Sequence, residues 1–302
     1  MKKWFFVLSV VLFTSFDVLA DDAPETSGSC AKANTDSTCT WSFDASSNTL
    51  TISGQGQMGD YESENLGSSY LSTSTVPWKE YLSQIENIKI DDGITSIGHL
   101  AFFKATNATN IVIPESVTFI GARAIQATGI SNITLPTNLQ VLDAVALAEN
   151  SNLETVTLPS NLTSISDWLF AASGLKEITI PSNIQSIEAF AFANTDLTSI
   201  EIPPTVQSVG DYVFRECDKL TSITISDGTS IGKIFDSNAG GHLDLSKITV
   251  YCKGDNKICD AKLKAAGYDM KSRVFRNNRR IYTIDEAQKE AGEKNRVSIT
   301  YR

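Results

Sequence analysis

One side-chain pattern, L-x-x-I-x-I-P-x-x-V-x-x-I-G-x-x-A-F, lies end to end at Ile130–Leu147, Leu153–Phe170, Leu175–Phe192 and Leu197–Phe214. Looser copies precede it at Ile85–Phe102 and Ala108–Ile125, and another follows at Leu220–Phe235. The last apolar residue before the proline position falls at Ile90, Ile113, Leu135, Leu158, Ile180, Ile202 and Ile225, at spacings of 23, 22, 23, 22, 22 and 23. A unit this short cannot shield its own apolar residues, so consecutive copies must stack and share one continuous core. The chain is expected to be a repeat solenoid, an architecture suited to binding surfaces and scaffolds.

Within each unit the I-x-I-P stretch reads as a short strand that the proline ends, because proline has no N–H to give the ladder. Leu153, Val156 and Leu158 in one turn, and Leu175, Ile178 and Ile180 in the next, are expected to face the core. The second half, such as Ile184, Ile187, Ala191 and Phe192, has apolar spacings of three and four that fit short helix, 3₁₀ or turn. The position after its isoleucine holds Gly98, Gly121, Gly210 and Gly232 but also Asp143, Ser166 and Glu188, so no strict positive-φ requirement is expected there. Three residues after the A-F pair stand Ala105, Thr128, Asn150, Ser173, Thr195, Cys217 and Asn238, mostly small or hydrogen-bonding groups suited to a tight corner. Cys217 is therefore read as a buried structural thiol.

Residues 1–20 read as a secretory signal peptide, with Lys2 and Lys3 ahead of an apolar run from Trp4 to Phe16 and Val18-Leu19-Ala20 at the cleavage point. The run of 13 residues is short of the roughly 20 that a membrane span needs, so export without a transmembrane span is expected. Secretion or display at the cell surface follows, with the periplasm also open. Cys30 with Cys39 before the array, and Cys252 with Cys259 after it, enclose short loops that disulfides can close in an oxidising compartment. Neither spacing matches a zinc site.

Residues 21–84 read as an N-terminal cap. Thr40–Phe43 and Thr49–Ile52 alternate in polarity around a turn at Ala45–Asn48, a hairpin signal, and Pro77-Trp78 opens a helix with Trp78, Tyr81, Leu82 and Ile85 on one face. Residues 85–251 form the repeat array. Residues 252–302 read as a basic cap or sorting module, with a small β-α-β element from a strand at Arg279–Tyr282, a helix capped by Thr283 and Glu286, and a strand at Arg296–Tyr301.

Charge is divided along the chain. From Asp21 to Ser246 there are 9 Lys and Arg against 27 Asp and Glu, and from Lys247 to Arg302 there are 14 against 7. An array this acidic repels nucleic-acid phosphates and anionic membranes. The basic end can touch an anionic surface, face solvent, or contact the acidic array beside it. The two histidines, His99 and His242, have no nucleophile or metal partner at motif spacing, and no G-x-S-x-G, H-E-x-x-H or phosphate-binding glycine loop occurs. The expectation is a non-enzymatic protein without a cofactor, metal or catalytic residue.

The exposed face of the strands is then the candidate site. Its central column is expected to read Lys89, Val112, Thr134, Thr157, Thr179, Glu201, Thr224 and Thr249. The column one step nearer each strand's start reads Asn87, Asn110, Asn132, Thr155, Glu177, Ser199, Ser222 and Lys247. Eight parallel strands at about 4.8 Å span roughly 35–40 Å, room for a protein or an extended chain. Thr134, Thr157, Thr179, Glu201 and Thr224 are the candidate ligand-binding residues. Their hydroxyls suit hydrogen bonds to a polypeptide or to a glycan, although β-branched threonine also simply fits an exposed strand. Asn107, Asn132 and Asn161 each begin a glycosylation acceptor triplet.

The repeat resembles the BspA-type leucine-rich repeats of microbial surface proteins, most clearly at Ile180-Pro181…Ile187…Ala191-Phe192 and Ile202-Pro203…Val209-Gly210…Phe214-x-x-Cys217. The opening Cys39–Gly54 is similar to the N-terminal cap of such proteins. The resemblance covers roughly residues 30 to 250 and implies a right-handed leucine-rich-repeat solenoid with a parallel sheet, mixed α/β to mainly β, closed by a β-hairpin cap. It also implies an exported protein that binds protein, in some members a host matrix protein or another cell. A carbohydrate-binding module and a structural envelope scaffold remain the alternatives.

Overall fold

A computed structural model describes residues 24–64, 73–232, 234, 248–255, 261, 274–276, 279–283 and 297–301. The signal peptide, Cys259 and the C-terminal helix expected between the last two strands lie outside these residues. The repeats stack as a β-solenoid of about seven turns with almost no helix. Each turn has three arms.

The first arm is the I-x-I-P stretch. Near the N-terminus it forms a sheet in the order Ser27–Ser29, Thr40–Asp44, Thr49–Ser53, Asn87–Ile90 and Asn110–Val112. The hairpin pairs antiparallel, Trp41 opposite Ile52, and its second strand then pairs parallel with the array, so Leu50, Ile88 and Ile111 fall in one inward column. The end of the stack is thus covered by a strand pair carrying the same period-2 alternation as the repeats. Asp44 holds the hairpin turn by accepting hydrogen bonds from Ser46 Oγ at 2.7 Å and Ser47 Oγ at 2.8 Å.

At the other end Ser199–Glu201, Ser222–Ser226, Ile248–Lys253 and Val297–Tyr301 pair in parallel, and Arg279–Thr283 and Val274–Arg276 add antiparallel strands. Both strands expected in the tail are therefore present, joined by one at Val274–Arg276 that no pattern announced.

The second arm, left open between helix, 3₁₀ and turn by its sequence, is a two- to four-residue strand. Gly56–Gln57, Ile94–Ile97, Phe119–Ile120 and Val141–Leu142 form one parallel ladder, and Ser164–Ile165, Ser186–Ile187, Ser208–Val209 and Ser230–Ile231 form another. Where a glycine follows it at the cap, the reason is closeness. Gly98 has no positive φ, but a Cβ there would lie 1.7 Å from the Gly59 carbonyl oxygen.

The third arm carries the A-F pair and turns the chain back. Its amides alternate in use: Trp168, Phe170 and Ala172 N–H donate to the next turn at Ala189, Ala191 and Ala193, while Leu169, Ala171 and Ser173 N–H close turns onto residues three back. Two residues per turn adopt left-handed backbone, for example Trp168 at φ 56° and Ala172 at 55°, then Phe190 at 56° and Asn194 at 54°. That conformation is costly for side chains with a Cβ and is sustained here by the hydrogen bonds on both sides.

Inside, Phe170, Phe192 and Phe214 stack with centroids 5.6 and 6.1 Å apart. The main apolar cluster runs from Cys30 to Cys252, and Ala148, Ala171 and Ala193 form a small second one. The expected helix at Pro77 is corrected to one 3₁₀ turn, Lys79–Tyr81. Trp78, Tyr81 and Ile85 are buried as the spacing requires, but one turn suffices to place them, and Trp78 Nε1 donates to the Ala101 carbonyl at 3.1 Å.

Cys30 and Cys39 are disulfide-bonded, and Cys252 is buried and disulfide-bonded. With a sequence separation of 9, breaking the first bridge by a Cys30→Ser/Cys39→Ser change should cost about 2.5 kcal/mol from the freed unfolded chain. A urea titration of both forms measures this, and equal midpoints would mean that the hairpin holds the cap without the bridge.

Candidate binding groove

Ladder hydrogen bonding along the first arms is not uniform. Between Val112 and Ser199 only one bridge pair, Thr155 with Glu177, remains among the described residues. The arms stay tied just before that point, where Lys176 N–H donates to Glu154 O at 3.0 Å and Thr198 N–H to Lys176 O at 3.4 Å. Beyond it they run without a regular ladder, and a groove of about 790 Å³ opens across three consecutive turns.

The floor of this groove consists of inward residues seen between the arms: Val156, Leu158, Ile178 and Ile200. Ile178 is only partly buried, whereas Ile88 and Ile223 in the same column of the laddered ends are 1 % and 0 % exposed. The rim is polar, from Thr155, Thr157, Thr179, Ser199, Glu177 and Glu201. An apolar floor with a few convergent polar groups is the usual composition of a ligand site.

Of the five residues singled out from the sequence, Thr157, Thr179 and Glu201 line this groove. Thr134 is exposed one turn earlier and outside it. Thr224 is half-buried, directly opposite Glu201 in the ladder. The column's last member is corrected: Thr224 pairs with Tyr251, and Thr249 pairs with Ser222 in the neighbouring column. Twenty-seven residues separate Ile225 from its partner Cys252, so the 22–23 period does not carry across that connection.

Charge within the groove is unevenly compensated. Lys176 pairs with Glu154, and Lys253 reaches across the intervening strand to Glu201. Glu177 has no cationic partner among the described residues.

A second surface feature had no sequence signal. On the third arms Trp168, Phe190 and Tyr212 stack side by side, with centroids 4.1 and 5.1 Å apart. The residue before A-F varies in type from turn to turn, and the backbone is left-handed at all three of these positions. Beside them burial, and then the negative charge of Glu188, pushes the Asp167 carboxyl up from its ordinary value.

The corner column is built as the sequence suggested. Asn150 Oδ1 accepts from Thr128 N–H at 2.9 Å and Thr128 Oγ1 at 2.7 Å, while Asn150 Nδ2 donates to the Ile125 and Leu147 carbonyls at 2.8 and 2.9 Å. Cys217 is 1 % exposed, its Sγ donating to the Phe192 carbonyl at 3.0 Å, and burial pushes its thiol up.

Stacked 22–23-residue turns with leucine-type inward columns define the class of leucine-rich repeat solenoids. The chain belongs to the BspA-type leucine-rich repeat family, whose model (BspA type Leucine rich repeat region) matches in six copies over residues 80–195 and 185–285. Among solved structures, a leucine-rich repeat protein from Eubacterium ventriosum is 21 % identical, with a TM-score of 0.48, covering 72 % of this chain and 67 % of that one. A leucine rich cell surface protein from Faecalibacterium prausnitzii is 23 % identical, with a TM-score of 0.47 and coverage of 72 % and 70 %. The pneumococcal vaccine antigen PcpA is 15 % identical, with a TM-score of 0.33 and coverage of 79 % and 96 %. No curated protein matches the sequence. Among the described residues no helix is long and apolar enough to cross a membrane.

Proposed function

We propose that this protein is an exported, non-enzymatic binding protein that engages a protein ligand on a host matrix or another cell surface, with the first-arm face as its contact surface. In this reading residues 21–84 and 252–302 close the two ends of the array, and Thr134, Thr157, Thr179, Glu201 and Thr224 belong to the contact face. The observation that carries it is the groove: three turns whose apolar floor is open between the arms and whose rim is lined with hydroxyls and carboxylates. Membership of the BspA-type leucine-rich repeat family supports a binding role.

A Thr157→Arg/Thr179→Arg double substitution places two long cations over the floor at exposed positions. Retention on immobilised matrix proteins and on host cells should fall at least about tenfold, with an unchanged circular dichroism spectrum. Retention that survives the substitution removes this face from the reading. Saccharide-specific retention on a glycan array, with none on protein, would replace it by a carbohydrate-binding role.

A further inference from the structure

The groove's chemistry narrows the kind of chain it can take. No lysine or arginine lines it. Two cations beside it among the described residues are engaged, Lys176 by Glu154 and Lys253 by Glu201. An acidic sugar, a phosphate or an acidic peptide would therefore enter a site with carboxylates on its rim and, among the described residues, no lysine or arginine in its lining. A cation meets the reverse situation, because Glu177 is exposed, unpaired among the described residues, and adjacent in sequence to Ile178, the floor residue least covered by its neighbours.

The backbone supplies a further constraint. Among the described residues, Val156–Leu158 and Ile178–Ile180 lie outside any regular ladder, joined only through the Thr155–Glu177 bridge at their start, so fewer of their main-chain groups are paired between arms than at the laddered ends. Main-chain groups not paired between arms are matched by another extended backbone, the principle of strand addition. A partner strand also alternates its side chains, which suits a floor and a rim of opposite polarity.

Resting on the reading that this groove is the contact surface, we infer that its occupant is an extended polypeptide segment in which lysine or arginine alternates with an apolar residue. The basic side chain pairs with Glu177, and the apolar one enters between the arms onto Ile178. Hydroxyls of Thr155, Thr157, Thr179 and Ser199 and the main-chain groups not paired between arms take the segment's own backbone. Electrostatic matching of this kind governs selection among partners more than it governs total affinity.

The test uses the full chain and two short blocked peptides, one repeating Lys-Val-Lys-Thr and one repeating Glu-Val-Glu-Thr, in fluorescence-anisotropy titrations at low and high salt. The basic peptide should bind at least about tenfold tighter than the acidic one at low salt, and this preference should shrink as salt screens it. Glu177→Gln should weaken the basic peptide about threefold to tenfold, and Glu177→Lys should reverse the preference. Thr157→Arg/Thr179→Arg should abolish peptide binding. Equal binding of both peptides, or a preference untouched by either change at Glu177, overturns the inference. If matrix binding is lost in the double arginine variant while neither peptide binds or competes, the groove remains the contact surface and only the basic-strand assignment fails. If the double variant leaves matrix binding intact, the contact surface itself is misplaced.

Discussion

Truncating the central ring of the buried stack, Phe192→Ala, should destabilise the protein by about 3–5 kcal/mol and lower its melting temperature by about 10 °C. Phe192 is fully buried and stacks on Phe170 in the preceding turn and Phe214 in the following one, so its loss opens a void facing three turns at once. Neighbouring turns cannot collapse into that void, because their third arms are held in place by backbone hydrogen bonds, Phe170 N–H to Ala191 O at 2.9 Å and Phe192 N–H to Val213 O at 3.1 Å. Trp168→Ala is the matched control. Trp168 also stacks on an aromatic neighbour but is 37 % exposed, and its truncation should cost about 1 kcal/mol. Comparable losses at the two positions in a thermal unfolding experiment would show that the aromatic interior is not what binds one turn to the next.

Asn150→Leu should be of similar severity, about 3–5 kcal/mol, for a different reason. The two side chains share a branched shape and the same number of heavy atoms, leucine's methyls being bulkier, so no void is left while four hydrogen bonds disappear. Thr128 N–H and the Ile125 and Leu147 carbonyls lose the amide that satisfied them at a corner where Asn150 itself is fully buried, and each unsatisfied group costs about 1–3 kcal/mol. Asn150→Thr, the residue type found at this corner in the turns of Thr128 and Thr195, should recover about half of the loss. Thr195 Oγ1 there donates to its own turn's Phe192 carbonyl at 2.9 Å. Denaturant midpoints of the wild type and both variants test this, and a leucine variant as stable as the wild type would mean that the corner is sealed by packing alone.

These two positions also mark what could be read without coordinates. Phe192 and Asn150 sit in columns that repeat every 22 or 23 residues, and stacking turns that ratio of spacings into spatial neighbours whatever each arm's backbone does. The inward columns, the hairpin around Ala45–Asn48 and the Cys30–Cys39 bridge were legible for this reason. The lapse of the first-arm ladder was not. Ile133–Leu135, Val156–Leu158 and Ile178–Ile180 carry the same alternation as Ile88–Ile90, which is fully laddered. Whether two such arms approach closely enough to bond is set by the stacking of the other two arms, not by residues within the strand. Placing Thr249 beside Thr224 failed by two residues, which kept the correct face because strand side chains alternate, but moved the residue to the wrong column. The aromatic row at Trp168, Phe190 and Tyr212 sits on left-handed backbone at bulky residues, a conformation no residue-type preference would assign to them.

The alternating use of third-arm amides has a consequence for how this molecule can change over generations. Each turn offers its successor the same row of donors that its predecessor offered it, so one more copy can be spliced into the middle without inventing a new joint. Every such duplication would lengthen the rod by about 5 Å and leave both lids untouched. Reach is then adjusted by copy number, while affinity is adjusted separately, at the few side chains where the rungs part.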